Sequence, residues 1–466
     1  MTLSLNNKKK FLIFLFCLSF LIRAIIFGFF LSKNKNYWNR DSKAYNNVAI
    51  QISKGKGIVN LDSSYHFHRV PAYSMFLALC YKCFGYDIKK ALWIQIFFAS
   101  FIPILIFYLS LFLFNNNIFL AKICSIFTSF HIGYVLFSGL VMTEVFFILF
   151  FSIFLILFLR NFNFFFCQKK YIKNSYKFFL ISGIFLGLAS LMRPVGHYIV
   201  FISLGFLLLS DFNFIKKIKS IILLFIGWLM IVFWWLLRNY LLTGFIFFHT
   251  LSGIHFLKHS AGRLVMKSHD CSYMQALDRL NNEINIFQGK KEKDIGRKLN
   301  EIEYCQLAEK VSFKYLKKDY VLTTKHFLTN IFKTCFSLYS AMLLHINSGG
   351  KLPDYNKNRG WKKVLKRFLF PDTLSRWLKF VIYLEIFFHL FIWIGFLGFS
   401  TYSFFCKDYL CVFLKTFPFI FLFIFISLAC GFARLRLPIE CFLIILSFKF
   451  WLDLFWRRKS GLWIKV

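Results

Sequence analysis

Long apolar runs, each broken by a short polar segment, set the pattern of this chain. The first runs from Phe11 to Leu31, the second from Ala91 to Phe114 and the third from Ile118 to Ser138. A fourth leads from Glu144 to Arg160, a fifth up to Arg193-Pro194, a sixth down to Asp211, and a seventh covers Ile221 to Leu237. Three more close the chain: Leu374 to Phe399, Val412 to Cys430 and Leu437 to Phe455. Runs of roughly 20 apolar residues are the length that crosses a bilayer as helix. They are too continuous for barrel strands, which alternate. The pattern predicts an all-α polytopic membrane protein with about ten transmembrane helices.

Two polar stretches carry patterns of their own. Between the first two runs, Ala44, Tyr45, Val48, Ala49 and Ile52 fall on one helical face, and Gly55 and Gly57 end that helix. A second helix starts at Pro71 and ends near Phe84. Together they read as an interfacial amphipathic pair. From Leu241 to about Pro371 charges of both signs appear and the apolar runs shorten, which marks a large loop with helical patterning after the seventh span. Within it, Tyr320 to Leu344 reads as an interfacial or re-entrant helix, with a span as the other option.

Basic residues set the expected orientation. Lys8 to Lys10, the loop with Arg160, Lys169, Lys170, Lys173 and Lys177, then Lys216, Lys217 and Lys219, and finally Arg457, Arg458 and Lys459 fall on one side. Short cytoplasmic loops carry such an excess. Both termini are then cytoplasmic, and the amphipathic pair and the large loop lie outside. The expected division is 1–240, with the first outer loop at 32–90, then 241–371, then 372–466. Arg23 lies within the first span, facing either the bundle or the interface.

Composition agrees. The 466 residues are 58% hydrophobic and the mean hydropathy is +0.60, above the roughly half-apolar content of soluble domains. The net charge is +38, but the lysines are dispersed and form no soluble basic module, so nucleic acid is not an expected partner. Cys80 and Cys83 form an isolated CxxC without a second pair, which disfavours a metal. Cys271, Cys305 and Cys335 lie in the large loop, where a disulfide is an option.

Candidate chemistry is scarce, and that makes it visible. Before Asp211 the chain has four carboxylates: Asp41, Asp62, Asp87 and Glu144. The expected topology puts all four outside. Asp41 either caps the helix beginning at Ser42 or serves as a base, and the two roles are compatible. Glu144 opens a span among apolar neighbours. It can bind a divalent ion, orient a sugar or stabilise a helix N-terminus. Asp62 and Asp87 are adequately explained as a loop acid and a helix end. Arg193, Arg238, Arg434 and Arg436 all sit at expected outer span ends, where they anchor the interface or hold a lipid phosphate. His66, His68 and Arg69 can bind a metal or the acceptor, but with no third ligand nearby a polar loop is the expected reading. Glu385 and His389 share one helix face at i, i+4 and are expected to satisfy each other or a polar partner in the bundle.

Several of these pieces, in order, resemble the GT-C superfamily of polyprenyl-phosphate-dependent glycosyltransferases. The bacterial branch related to dolichyl-phosphate-mannose protein mannosyltransferases and to the lipid A aminoarabinose transferase is the nearest likeness. The residues that carry it are Asp41, Tyr45, Gly55 and Gly57 after the first span; Pro71, Tyr73 and Gly85; Thr143-Glu144; GLASLMRPVG at Gly187 to Gly196; Trp234 to Phe256; and Gly431-x-x-Arg434-x-Arg436-x-Pro438. The chain has Pro71-Ala72-Tyr73-Ser74 where the family more often has Pro-Gly-Tyr-Pro, and Ser42 follows the aspartate. The resemblance implies a membrane glycosyltransferase of a bacterial inner membrane. It would move a sugar, with inversion, from a polyprenyl-phosphate donor to a hydroxyl of a protein, lipid A or another glycolipid. Asp41 takes the family's catalytic-base position, and Glu144 is the second catalytic candidate. Arg193, Arg238, Arg434 and Arg436 are the expected donor-phosphate ligands, and Tyr45, His68, Arg69 and Tyr73 the expected acceptor or sugar contacts. The cofactor stays open, a divalent cation being one option. A transporter or flippase of lipid-linked sugars, or a polymerase or ligase of such saccharides, is the alternative.

Overall fold

The computed structural model describes residues 5–33, 36–39, 41–160, 176–341 and 376–459. Helices α1 (Leu5–Ile26), α2 (Ser42–Ser53), α3 (Ala72–Phe84), α4 (Ile88–Ala99), α5 (Ile102–Leu113), α6 (Ile118–Phe130), α7 (Ile132–Ser138) and α8 (Glu144–Arg160) form the first part. Then come α9 (Lys177–Met192), α10 (Val195–Leu208) and the long α11 (Phe214–Thr243). Shorter helices follow: α12 (Leu251–His255), α13 (Gly262–Ser268), α14 (Tyr273–Ile295), α15 (Glu301–Lys318) and α16 (Tyr320–Phe336). The final group is α17 (Arg376–Ser403), α18 (Lys407–Ile426), α19 (Ala433–Arg436) and α20 (Glu440–Lys459). Among the described residues there is no strand. A lone antiparallel bridge joins Val59 and Tyr65. The all-α expectation holds.

Among the described residues, five helical stretches are long and apolar enough to cross a membrane: Asn6–Leu31, Ile88–Leu113, Phe214–Thr243, Lys379–Ser403 and Lys407–Ile426. The pair α6 and α7, bent by 50° at its break, makes a sixth as a broken span. The chain is therefore a membrane protein, with five or six such stretches where the apolar pattern predicts about ten. Helices at the other expected positions are shorter, as α9, α10 and the 17-residue α8 are, or carry charges along their length, as α20 (Glu440, Lys449, Asp453) does. The expected basic loop with Lys169, Lys170 and Lys173 lies outside the described residues, as do positions 342–371 and Leu374.

Apolar runs become helices because a chain in lipid must satisfy its own backbone. Side chains set the ends: Asp87, Asn117 and Asn213 each accept an N–H of the first turn. Packing is close where small residues allow it. A Cβ on Gly183 would lie 2.2 Å from the Leu224 carbonyl oxygen, and one on Gly227 would lie 2.2 Å from that of Leu180. Those two glycines bring α9 against α11. Arg23 is 1% exposed and donates Nη1 to the Ser19 hydroxyl and carbonyl. Of its two expected positions, the bundle interior is the one observed.

The stretch 244–341 has a core of its own, in which Leu257, Val265, Leu280, Ile284 and Val311 meet. Ser272 and Asn300 each build a reciprocal capping box with Gln275 and Glu303, fixing the starts of α14 and α15. Within it α16 is a 17-residue helix, among neither the span-length helices nor the shorter apolar ones. Cys271, Cys305 and Cys335 are free thiols, so the disulfide option among them is not realised.

Candidate functional site

Asp41 is held in place from both sides in sequence. The Asn39 N–H donates to the Ser42 hydroxyl at 2.8 Å, and that hydroxyl donates to the Val141 carbonyl at 2.9 Å. Val141 in turn donates its N–H to the Tyr37 carbonyl. The entry to α2 is thereby fastened to the turn that opens α8. Ser42, the residue following the aspartate, is a docking group.

The carboxyl of Asp41 does not cap α2, because its side chain accepts no helix N–H. It bridges two arginines instead. Arg69 donates Nη2 to Oδ1 at 2.8 Å, and Arg434 donates Nη1 to Oδ2 at 2.7 Å. Arg434 stands 393 positions away in sequence. Arg69 is itself shaped by three contacts. Its Nη1 donates to the Tyr45 hydroxyl at 3.1 Å, its guanidinium lies 4.9 Å over the Tyr45 ring, and its backbone N–H donates to Nε2 of His66. The other nitrogen of His66, Nδ1, is 2.8 Å from the Asn60 Oδ1. Accepting at Nε2 and donating at Nδ1 makes that imidazole neutral, a tautomer assigned from this network.

Arg434 is placed by its preceding turn. A Cβ on Gly431 would fall 2.4 Å from the Asn330 carbonyl oxygen, so only glycine lets this turn lie on α16. The Asn330 amide locks it by donating to the Leu428 carbonyl at 2.8 Å. These contacts explain the glycine of the Gly431-x-x-Arg434 element in structural terms.

The electrostatics follow from this geometry. Burial opposes the charge on Asp41, but Arg434 and Arg69 outweigh it and hold the carboxyl well below the usual carboxylate range. Glu144 also acts on Arg434 and pairs with Arg193, Nη1 to Oε1 at 3.5 Å. Three guanidiniums thus face two carboxylates, leaving one positive charge in excess. Side-chain exposures of 21% for Asp41, 25% for Arg434 and 13% for Arg69 keep the group reachable from one side.

The other expected site residues divide. Tyr45 and Arg69 belong to the clamp. Arg193 is engaged with Glu144 and lies over the Phe147 ring. Arg238 braces the first connecting segment: its Nη2 donates to the Ile58 carbonyl at 2.9 Å, and its Nη1 to the Asn239 amide oxygen and the His66 carbonyl. Its guanidinium also lies 4.8 Å over the Trp235 ring. Arg436 is 1% exposed. It pairs with Glu440 at 2.6 Å and donates to the carbonyls of Thr334, Cys335 and Ser337. The expected phosphate role therefore has an open candidate in Arg434, while Arg436 is sealed inside. Tyr73 is fully buried and donates its hydroxyl to Gln95 at 2.9 Å. Gln95 ties the Ser138 and Leu140 carbonyls, so Tyr73 supports the α3–α4 junction and does not line the clamp. His68 is half-buried, near Arg69 and Lys258. Glu385 accepts the Tyr339 and Ser340 N–H groups and His389 packs on Phe336 and Trp393, so of the two expected arrangements Glu385 shows the polar partner in the bundle.

The structure adds residues that the sequence reading gave no role. His249, His255 and His259 come together beside the clamp with His197. The His197 ring stacks on Phe248 at 4.6 Å, and the His255 and His259 rings stand 5.2 Å apart. His255 feels His259, Arg434, Arg69 and Asp41. Burial first, then neighbouring histidines and arginines, pushes His249 and His255 down to about 3, while the Asp41 carboxylate pulls His255 the other way. His66 falls to about 3 and His68 to about 4 by the same causes. The signal was three histidines within eleven residues, at 249, 255 and 259.

Among the described residues no three His, Cys, Asp or Glu side chains converge to hold a metal ion. The divalent-cation option at Glu144 meets the Arg193 guanidinium, whose charge repels a cation. A cavity of about 380 Å³ lies beside α2, lined by Ala44, Asn47, Asn60, Leu61, Asp62 and His66. It includes none of the clamp residues.

No protein-family model matches the chain, and no curated protein matches it.

Proposed function

We propose that the chain is a membrane glycosyltransferase that moves a sugar from a polyprenyl phosphate to a hydroxyl acceptor. In this reading the ten helical segments cross the membrane, with both termini cytoplasmic and the clamp on the outer face. The observation that carries it is the Asp41 carboxylate bridged by Arg69 and Arg434 at an accessible surface of an apolar bundle. The reaction needs an anion site at headgroup level and a carboxylate within reach of it. The acceptor oxygen attacks the anomeric carbon while the carbon–phosphate oxygen bond breaks. The leaving lipid phosphate keeps the electron pair, and the proton of the acceptor passes to Asp41. The leaving group is already a phosphate, so no strong acid is required. Arg434 and Arg69 neutralise its developing charge. The neutral histidines at 68, 249 and 255 supply hydrogen-bonding groups without adding charge.

Sugar transfer from labelled polyprenyl-phosphate donors, by purified protein in liposomes, tests this. Turnover that falls about 100-fold or more in a folded Arg434→Gln variant supports it. No turnover with any donor, together with protein-dependent movement of the lipid-linked sugar across the liposome, would favour a transporter.

A further inference from the structure

We infer that the Asp41 carboxylate occupies the place of the donor's phosphate, and that phosphate binding to Arg69 and Arg434 releases Asp41 to act as the base. This rests on the transferase reading above.

Both carboxylate oxygens of Asp41 accept a charge-assisted bond, one from each arginine. A carboxylate held in that way is a weak proton acceptor, because taking the proton would cost both bonds. The resting arrangement is therefore an occupied anion site with its base switched off. Several features say the occupant can change. The site keeps one positive charge in excess, so a second anion is welcome. Its three side chains are partly exposed. Arg69 has a second anchor in the Tyr45 hydroxyl and ring, which hold its guanidinium in place when the carboxylate leaves. Its Nε is buried without a hydrogen-bond partner among the described residues. The backbone that carries Arg434 is held through the Gly431 turn on α16, independently of Asp41. By contrast Arg436, two residues on, is 1% exposed, with its Nε on Glu440 and its Nη1 on three carbonyls, so it lies out of reach of an incoming anion.

A phosphate ester presents more oxygens to two guanidiniums than a carboxylate does. Exchange then places the freed Asp41 next to the phosphate, where the acceptor hydroxyl must arrive. It also keeps the base inactive until donor is bound.

The test is binding of a polyprenyl monophosphate to the full chain in lipid nanodiscs, with inorganic phosphate as a separate arm. Removing the internal occupant should raise affinity. Asp41→Asn and Asp41→Ala are expected to bind the polyprenyl phosphate about tenfold or more tightly than wild type, and Arg69→Gln and Arg434→Gln about tenfold or more weakly. If the site reads phosphate alone, inorganic phosphate follows the same order at lower affinity. If it needs the lipid chain as well, only the lipid arm does so. Unchanged or weaker binding in both Asp41 variants would overturn the exchange. In wild-type protein, polyprenyl phosphate should shift an infrared carboxylate stretch that disappears in Asp41→Asn; a spectrum that stays still would also overturn it. The two readings fail separately. Tighter binding in the Asp41 variants with no sugar transfer from any donor leaves the exchange standing and removes the transferase. Asp41-dependent transfer with unchanged phosphate binding does the reverse.

Discussion

Arg434 and Arg436 lie two residues apart in one short helical turn, and their surroundings are opposite. Arg434 is one-quarter exposed and shares a carboxylate with a second arginine. Arg436 is 1% exposed and is consumed by Glu440 at 2.6 Å, three backbone carbonyls and the face of Tyr339. The first has the geometry of a group that can exchange partners. The second has the geometry of a group whose loss leaves a buried charge. The same residue type at the same kind of position carries chemistry in one case and folding in the other, and the number of fixed partners decides which.

Substitutions can break this contrast. The largest effect is expected at the buried pair. Arg436→Met should strand the Glu440 carboxylate in the bundle and cost about 3–5 kcal/mol, read as a fall in the thermal midpoint in detergent and in yield. A midpoint equal to wild type would mean the pair is not structural. At the open site, Asp41→Asn should lower the midpoint less than Arg436→Met does, because both arginines it leaves unpaired keep some contact with solvent, but it should lower sugar transfer by about 10²–10⁴-fold.

A smaller loss is expected at Tyr73. Tyr73→Phe removes one hydrogen bond to a buried Gln95 and should cost about 1–3 kcal/mol, with transfer per folded molecule unchanged. A large drop in turnover without a stability loss would return Tyr73 to the site. Acidification gives a further test. His66, His68, His249 and His255 have folded values of about 3 to 4, below the unfolded value of about 6.5. The unfolded chain therefore binds more protons, so stability is full above about pH 6.5 and is lost as pH falls from there towards about 4. The Asp41 carboxyl, lowered by Arg434 and Arg69 against its burial, adds a loss below about pH 4 in the same direction. A thermal midpoint that is level between pH 6.5 and 4.5 would contradict the neutral histidines. Least of all should happen at Asp62, an exposed acid bonded only to Ser64. Asp62→Asn should stay within about 0.5 kcal/mol and keep its transfer activity.

Much of this was legible along the chain. The apolar runs announced the helices, and the scarcity of carboxylates before Asp211, with Asp41 the first after the opening run, pointed to Asp41. Gly431-x-x-Arg434 pointed to the turn that carries the second arginine. The sequence could not say which cation meets which anion. Arg193, Arg238, Arg434 and Arg436 look alike as arginines at helix ends, yet one binds Glu144, one braces backbone at Ile58, one meets Asp41 and one is entombed. The first three pairings join residues far apart in the chain, and no local period encodes them; only Arg436 with Glu440 is an i, i+4 pair. Local reading also gave no sign of the partner of Arg69, because Asp41 is 28 residues earlier. Tyr73 looked like a site tyrosine because its motif stands in the right order, whereas burial under α2 and α4 assigns it to packing. The helix-capping reading of Asp41 failed because the same carboxyl had two stronger donors within reach.

The most direct test of the clamp as a reacting centre is the rate of sugar transfer from a labelled polyprenyl phosphate by wild type, Asp41→Asn and Asp62→Asn, each shown to be folded at the assay temperature. Loss of about 100-fold or more in Asp41→Asn, with Asp62→Asn equal to wild type, is the expected result. An Asp41→Asn enzyme that transfers sugar within about threefold of wild type would place the chemistry elsewhere and leave Asp41 as a charge that only holds two arginines in place.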